Sequence, residues 1–273
     1  MLASLKLPRS TYYYHASRPD TDRWSAVRPL IREAFSRTPN GMGYRQVALV
    51  LRNEQGLSMS GKTVLRLMRE EGLFTAIRRK RYNSYRGEAG RVAANILDRD
   101  FAARRPVEKL VTDVTEFKVA EGRVYLSPVL DLFNNEVLSW GVSRSQGMRM
   151  VTRMVEGLES RLSGEEVLLH SDQGWHYQQR SYQLTLERMG ITQSMSRKAT
   201  CLDNAPIESF FGHLKDEIYR GRRFDSFDEL AREIDSYIEY WNTRRYQVGL
   251  KGLSPAGYRA QSEGTSQELP LTV

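Results

Sequence analysis

Three carboxylates stand apart from the other acidic residues of this chain because of what surrounds them. Asp172 follows the apolar run Val167-Leu168-Leu169, within His170-Ser171-Asp172-Gln173-Gly174. Such a run reads as a buried strand, and in open α/β sheets ligand crevices form where strands give out. Thirty-five residues separate Asp172 from Glu208, which follows Asp203-Asn204-Ala205-Pro206-Ile207. Glu208 falls in the first turn or two of a helix whose apolar positions Ile207, Phe210, Phe211, Leu214 and Ile218 keep a helical period. Lys215 lies two turns down the same side. Asp113 is expected mid-strand amid Val111, Val114 and Phe117, where aspartate is depleted. Turned inward beside Asp172, it completes three acids from three separated elements. Oxygen donors gathered beside a cation suit a hard divalent ion. The spacing alone equally fits Asp172 as a turn cap and Glu208 as a solvated helix residue.

The elements that must position these acids begin at Lys109. A strand-like run reaches about Val119, Glu121-Gly122 turns it, and Val124 to Phe133 reads as a second strand. Asn134-Asn135 turns the chain into a third, Val137 to Val142, which makes an antiparallel meander. A helix over about Met148 to Leu162, the strand ending at Asp172, a helix near Tyr182–Met189, a strand Ile191–Met195 and the Glu208 helix complete the order β-β-β-α-β-α-β-α. A mixed sheet flanked by helices is the architecture this order predicts. Beyond it, an amphipathic helix from Phe224 to Tyr246 carries Leu230, Ile234, Tyr237, Ile238 and Trp241. The predicted organisation is a helical region over 1–75, a linker over 76–106, a core over 107–220, and a helix and tail over 221–273 packed on or extending that core.

The charge is divided along the chain. Residues 1–105 hold 21 Lys/Arg against 9 Asp/Glu, and the remainder 20 against 24. A basic half joined to a mildly acidic one suggests a polyanion-binding arm beside a carboxylate-bearing domain. Three helices are expected in the basic half. The first carries Val27, Leu30, Ile31, Ala34 and Phe35; the second runs from about Tyr44 to Glu54; the third is capped by Ser60, with Val64, Leu65 and Met68 inward. The second helix carries Arg45, and Lys62, Arg66 and Arg69 face outward on the third, as in a helix-turn-helix DNA reader. Within 76–106, the run Arg78, Arg79, Lys80 and Arg81 is followed by Tyr82 and Tyr85, a mixture able to follow phosphates and stack on bases. Gly56 to Thr63 satisfies the Walker A pattern, but a phosphate loop needs a strand running into its first glycine, and a helix is expected there.

Composition removes other classes. The single cysteine, Cys201, excludes a disulfide framework and a cysteine-rich zinc module, and suits a reducing cytoplasm. No apolar run approaches membrane-spanning length, and no signal-peptide core is expected at the N-terminus.

The ordered motifs resemble those of OrfB-type transposases, from bacterial insertion sequences with two overlapping frames, and through them retroviral integrases. They are Thr112-Asp113-Val114-Thr115, His170-Ser171-Asp172-Gln173-Gly174, Asp203-Asn204-Ala205 with Glu208-Ser209-Phe210-Phe211, and Lys215. Gly43-Tyr44-Arg45, Tyr240-Trp241-Asn242 with Arg244-Arg245, and Leu253-Ser254-Pro255 extend the likeness over nearly the whole chain. It implies a ribonuclease-H-like domain whose Asp113, Asp172 and Glu208 hold two Mg²⁺ or Mn²⁺ ions, with Asp113 bridging and Lys215 steadying a DNA phosphate. It implies hydrolysis at an element end, then strand transfer, without a nucleotide cofactor. The implied partners are the element ends, target DNA, the first-frame protein and further copies of the chain on DNA, with no membrane. A non-catalytic DNA-binding regulator and a P-loop ATPase using Lys62 are the alternatives. Leu110 stands where relatives often carry Trp, and the histidine-cysteine zinc module of retroviral integrases has no counterpart here.

Overall fold

The computed structural model describes Tyr13 and residues 22–75, 92–197 and 201–267. The chain divides into two compact units, Met1–Arg37 with Met42–Phe74, and Thr38–Gly41 with Thr75–Val273.

In the first unit, α1 (Val27–Phe35), α2 (Tyr44–Gln55) and α3 (Gly61–Glu70) bury one stripe each. The inward residues are Ile31 and Ala34, then Val47, Val50 and Leu51, then Val64, Leu67 and Met68. Leu67 takes the inward place expected for Leu65, three residues on from Val64. Gly56 ends α2 at φ 65°, a left-handed conformation that glycine adopts without a Cβ penalty. The Ser60 hydroxyl accepts the Thr63 amide at 3.1 Å and starts α3. Helix, not strand, runs into Gly56, and Gly61-Lys62-Thr63 is the first turn of α3, so the Walker-like match is no phosphate loop.

The second unit is built on one mixed sheet. Its strands are β1 (Lys109–Thr112), β2 (Thr115–Val119), β3 (Gly122–Asp131), β4 (Val137–Ser143), β5 (Val167–Ser171) and β6 (Ile191–Met195). Strands β1 and β2 both pair antiparallel with β3 on one register, Thr112 opposite Val129 and Thr115 opposite Leu126. The six segments therefore occupy five places: β4, β3, the divided first strand, β5 and β6. Continuing the register sets Asp113 opposite Pro128. Proline has no N–H to give to a ladder, and the expected single strand breaks there. Asp113 thus lies at a strand end, not mid-strand.

Alternating residues of the sheet face two layers of helix. Leu110 and Leu169 pack with α4 (Met148–Glu156) and α5 (Arg180–Arg188). Val111, Phe117 and Leu130 pack with α6 (Ala205–Leu214) and α7 (Phe227–Thr243). The last helix, α8, spans Pro255–Gln267. Helix α4 is shorter than its expected reach to Leu162; a 3₁₀ turn, Glu159–Arg161, follows it. Two side chains of the Tyr-Trp-Asn motif fasten α7 to the β3–β4 turn. The Trp241 indole donates to the Asn135 carbonyl at 2.7 Å, and the Asn242 amide pairs with both backbone groups of Val137 at 2.9 Å.

Part of the expected linker belongs to this unit. The amides of Ile96 and Leu97 donate to the Ser194 hydroxyl of β6, and Leu97 is buried in the core. Residues 92–106 are therefore packed chain; residues 76–91, with Arg78, Arg79, Lys80 and Arg81, lie outside the described residues.

Candidate active site

Strands β1 and β5 are parallel neighbours, with Lys109 beside Leu168 and Val111 beside His170. The same offset carried on sets Asp113 beside Asp172, each one residue past the end of its strand. Neighbouring strands lie about 4.8 Å apart, so the fold itself brings these carboxylates side by side. Glu208 enters from the helix layer that Val111 faces, in the first turn of α6. The position of α6 is set by Asn204, whose buried side chain donates to the Thr112 carbonyl at 3.1 Å, one residue before Asp113. Pro206 occupies the first turn, where its missing N–H costs nothing.

The electrostatics place the three acids in one neighbourhood. Burial holds Asp113 well above the usual carboxylate range, and the charges of Asp172 and Glu208 push the same way. Glu208 is raised by burial and then by Asp172, and Asp172 is raised by burial. Lys215 opposes the trend at Asp113. Its ammonium donates to Thr115 Oγ1 at 2.5 Å and lies 5.1 Å from the Phe117 ring centre. A single π turn, Lys215–Tyr219, follows α6 in place of the straight helix expected through Ile218.

The loop after β5 is closely determined. Asp172 Oδ1 accepts the Gly174 amide at 2.8 Å, so the turn-cap reading of Asp172 is true alongside its place among the acids. A Cβ on Gly174 would come within 2.9 Å of that oxygen and 3.3 Å of the Tyr177 ring. His170 is buried and hydrogen-bonded to Ser194 and Ser196, and burial lowers its pKa to about 4. It is a neutral packing group rather than a titrating one. Asp203 is fully buried and accepts from Arg99 at 2.7 Å, from the Arg197 side chain at 3.1 Å and from the Arg197 amide at 3.1 Å. These contacts hold the approach to α6. In the sequence Asp203 and Asn204 read only as motif; a cap-type residue just ahead of an apolar-periodic run is the signal that marks them.

The expected DNA-contacting residues of the first unit are separate from this site in sequence. Arg45, Lys62 and Arg66 are exposed. The Arg45 guanidinium lies 5.7 Å from the Tyr44 ring, and Arg66 pairs with Glu70 at 2.5 Å.

Comparisons with known proteins match three stretches of the chain. A family described as HTH-like domain matches residues 23–81, and two described as integrase core domain match 103–201 and 208–262. The InsK product of insertion sequence element IS150 from Escherichia coli K12 is 48% identical over 96% of this chain and 93% of its own length. This chain belongs to the IS3-family transposases of insertion sequences. The transposase InsF of insertion sequence IS3A, also from Escherichia coli K12, is 34% identical over 83% of this chain and 79% of its own. The transposase of IS904 from Lactococcus lactis is 32% identical over 84% and 91%. Among solved structures, the HTLV-2 integrase catalytic core domain in complex with magnesium covers 58% of this transposase and 99% of itself. That likeness is at 15% identity and a TM-score of 0.45. The integrase-core matches enclose Asp113 and Asp172 in one and Glu208 and Lys215 in the other. The HTH-like match encloses Arg45, Lys62, Arg66 and Arg78 to Arg81.

Among the described residues, no group of three or more His, Cys, Asp or Glu side chains is gathered closely enough to hold a metal ion. The donor set fits one nonetheless. Asp113, Asp172 and Glu208 offer oxygens only, the preference of Mg²⁺ and Mn²⁺, and their mutual repulsion is what a cation relieves. The three acids share a neighbourhood without closing on its centre. No helix among the described residues is long and apolar enough to cross a membrane.

Proposed function

We propose that this transposase cleaves DNA at the ends of its insertion sequence and transfers the freed 3′-hydroxyl to another strand, with Asp113, Asp172 and Glu208 as its catalytic residues. The observation that carries the reading is the parallel register of β1 and β5, which sets Asp113 beside Asp172 while Asn204 anchors the Glu208 helix to the same strand end.

Asp113, the acid whose carboxylate feels both others, would hold the Mg²⁺ or Mn²⁺ ions together with Asp172 and Glu208. When bound, such ions activate a water or a 3′-hydroxyl and neutralise the leaving oxygen of an in-line displacement. The chain's own part is to hold three oxygen donors in a half-buried site and to keep the β5 loop in one shape. Lys215 stands where its ammonium can steady a DNA phosphate. Phosphodiester bonds are exchanged in strand transfer, so no nucleotide cofactor is required. The HTH-like region would supply DNA binding, and the first-frame protein and further copies of the chain would be its partners.

Oligonucleotides carrying the element's own ends test this. With Mg²⁺ or Mn²⁺ the full chain should nick the end and join it to a second duplex. Asp113→Asn, Asp172→Asn and Glu208→Gln should each reduce both steps to background while end binding persists. End binding without metal-dependent nicking by the parent would favour a DNA-binding regulator instead.

A further inference from the structure

We propose that Arg245 is a positioning residue for Lys215, acting through Glu217 and the π turn that carries both. The role of Lys215 toward DNA rests on the function proposed above; the mechanical link does not.

The π turn is the starting point. It spans Lys215–Tyr219 and is closed by the Arg220 amide donating to the Lys215 carbonyl at 2.7 Å. Such turns are rare and occur mostly as single insertions in α-helices. Lys and Glu are good α-helix formers, so the local sequence Lys215-Asp216-Glu217-Ile218-Tyr219 gives no reason for the wider winding. Contacts from outside must hold it.

Those contacts come from three sides: the Asn40 side chain donates to the Asp216 and Arg220 carbonyls at 2.7 Å each, and the sheet and the end of α7 supply the rest. On the sheet side, Lys215 donates to Thr115. The Tyr219 hydroxyl bonds both backbone groups of Lys118, at 2.8 and 2.9 Å. On the helix side, Glu217 is gripped from the end of α7. Arg245 donates to Glu217 Oε1 through Nη2 at 2.6 Å and through Nε at 3.0 Å, and Nε reaches Oε2 at 3.1 Å. Tyr237 adds its hydroxyl at 3.0 Å. The pair is enclosed, with side chains 5% and 15% exposed, and the guanidinium lies 4.6 Å from the Trp241 ring centre.

Removing one partner of an enclosed ion pair leaves the other charge unmet in apolar surroundings. Glu217 without Arg245 keeps the Tyr237 hydroxyl but loses its opposing charge, and the backbone most able to adjust is the π turn. A change in that turn pulls on Lys215, whose carbonyl closes it, and so on the bond its ammonium makes to Thr115. Arg245, thirty positions beyond Lys215 in sequence, thereby sets where the site's cation points.

Hydrogen exchange on the full chain, read residue by residue, tests the link without reference to activity. Arg245→Met keeps most of the volume and removes the charge; Arg245→Lys keeps the charge and loses the fork. In both, amides of residues 215–220 should exchange tenfold faster or more, Arg220 foremost, while those of β3 and β5 keep their parental rates. Unchanged exchange at 215–220, or equal acceleration throughout the sheet, would overturn the proposal. The second arm is a double-mutant cycle on metal-dependent DNA nicking. Arg245→Met and Lys215→Ala should each lower kcat, and the combined variant should be no slower than Lys215→Ala alone. Fully additive losses would show that Arg245 does not act through Lys215. A parent that does not nick DNA would remove the proposed function and leave the exchange result to decide the clamp.

Discussion

Asp172 has two roles that substitutions can separate. Its Oδ1 caps the turn at Gly174, and its charge adds to a neighbourhood already holding Asp113 and Glu208. Asparagine keeps an oxygen for the Gly174 amide and removes the charge; alanine removes both. Asp172→Asn should therefore abolish nicking yet melt no lower than the parent without metal. Asp172→Ala should lose about 1 kcal/mol, the usual cost of a missing cap. Mn²⁺ should raise the parent's Tm by binding the folded state and raise both variants' much less. Melting curves with and without Mn²⁺ decide the matter. A destabilised Asp172→Asn with an unchanged metal response would leave Asp172 as a turn cap only.

Among the elements, the loop after β5 and the start of α6 carry the tightest constraints. Gly174→Ala places a Cβ 2.9 Å from the Asp172 oxygen, so the loop must shift. The expected cost is about 1–3 kcal/mol, as for other overpacked sites, with a larger loss of nicking than of stability. Thermal melting and nicking rates on the same preparation measure both. At α6, Asp203 is held below the usual carboxylate range by Arg197 first, burial opposing, and then by Arg99. Because its folded pKa is depressed, its stabilisation is fully present above the unfolded value of about 3.9 and is lost as pH falls below that. Asp203→Asn should lower Tm at pH 7 and flatten the decline between pH 4 and pH 2; a parallel curve would contradict this.

Much of this layer was legible before the structure. The apolar periods of α6 and α7, the short strand Ile191–Met195 and the strand leading to Asp172 are local patterns, and local patterns survive folding. The break at Asp113 was not legible, because it depends on Pro128 falling opposite it, a matter of register between strands. The π turn after Leu214 was hidden for the same reason: its sequence favours α-helix, and partners distant in the chain hold it otherwise. Trp241 and Asn242 read as a family motif, but their fastening of α7 to the β3–β4 turn appears only when both ends are seen together.

At the scale of the whole molecule, charge asymmetry predicts which variants should weaken DNA binding, and pairing refines the prediction. The first unit spends part of its positive charge internally. Arg28 meets Asp22, Glu70 and Glu71, Arg32 meets Glu71, and Arg37 meets Glu54. Of the outward cations on α3, Arg66 pairs with Glu70, whereas Lys62 has no carboxylate partner among the described residues. A cation already neutralised by a protein carboxylate displaces fewer counterions from DNA when it binds. Lys62→Ala should therefore lower affinity for the element end and reduce the log–log salt slope by about 0.9, the value for one phosphate contact on duplex DNA. Arg66→Ala should change both less. Neither variant should alter metal-dependent nicking once DNA is saturating, and Lys62→Ala should abolish no ATP hydrolysis, because Lys62 sits in the first turn of a capped helix. Titrations of labelled element ends between 50 and 200 mM salt, the range over which such contacts are separable, give the slopes. An Arg66→Ala slope change equal to that of Lys62→Ala would show that the Glu70 pair opens on DNA. An unchanged slope in both would move the DNA-reading surface off α3.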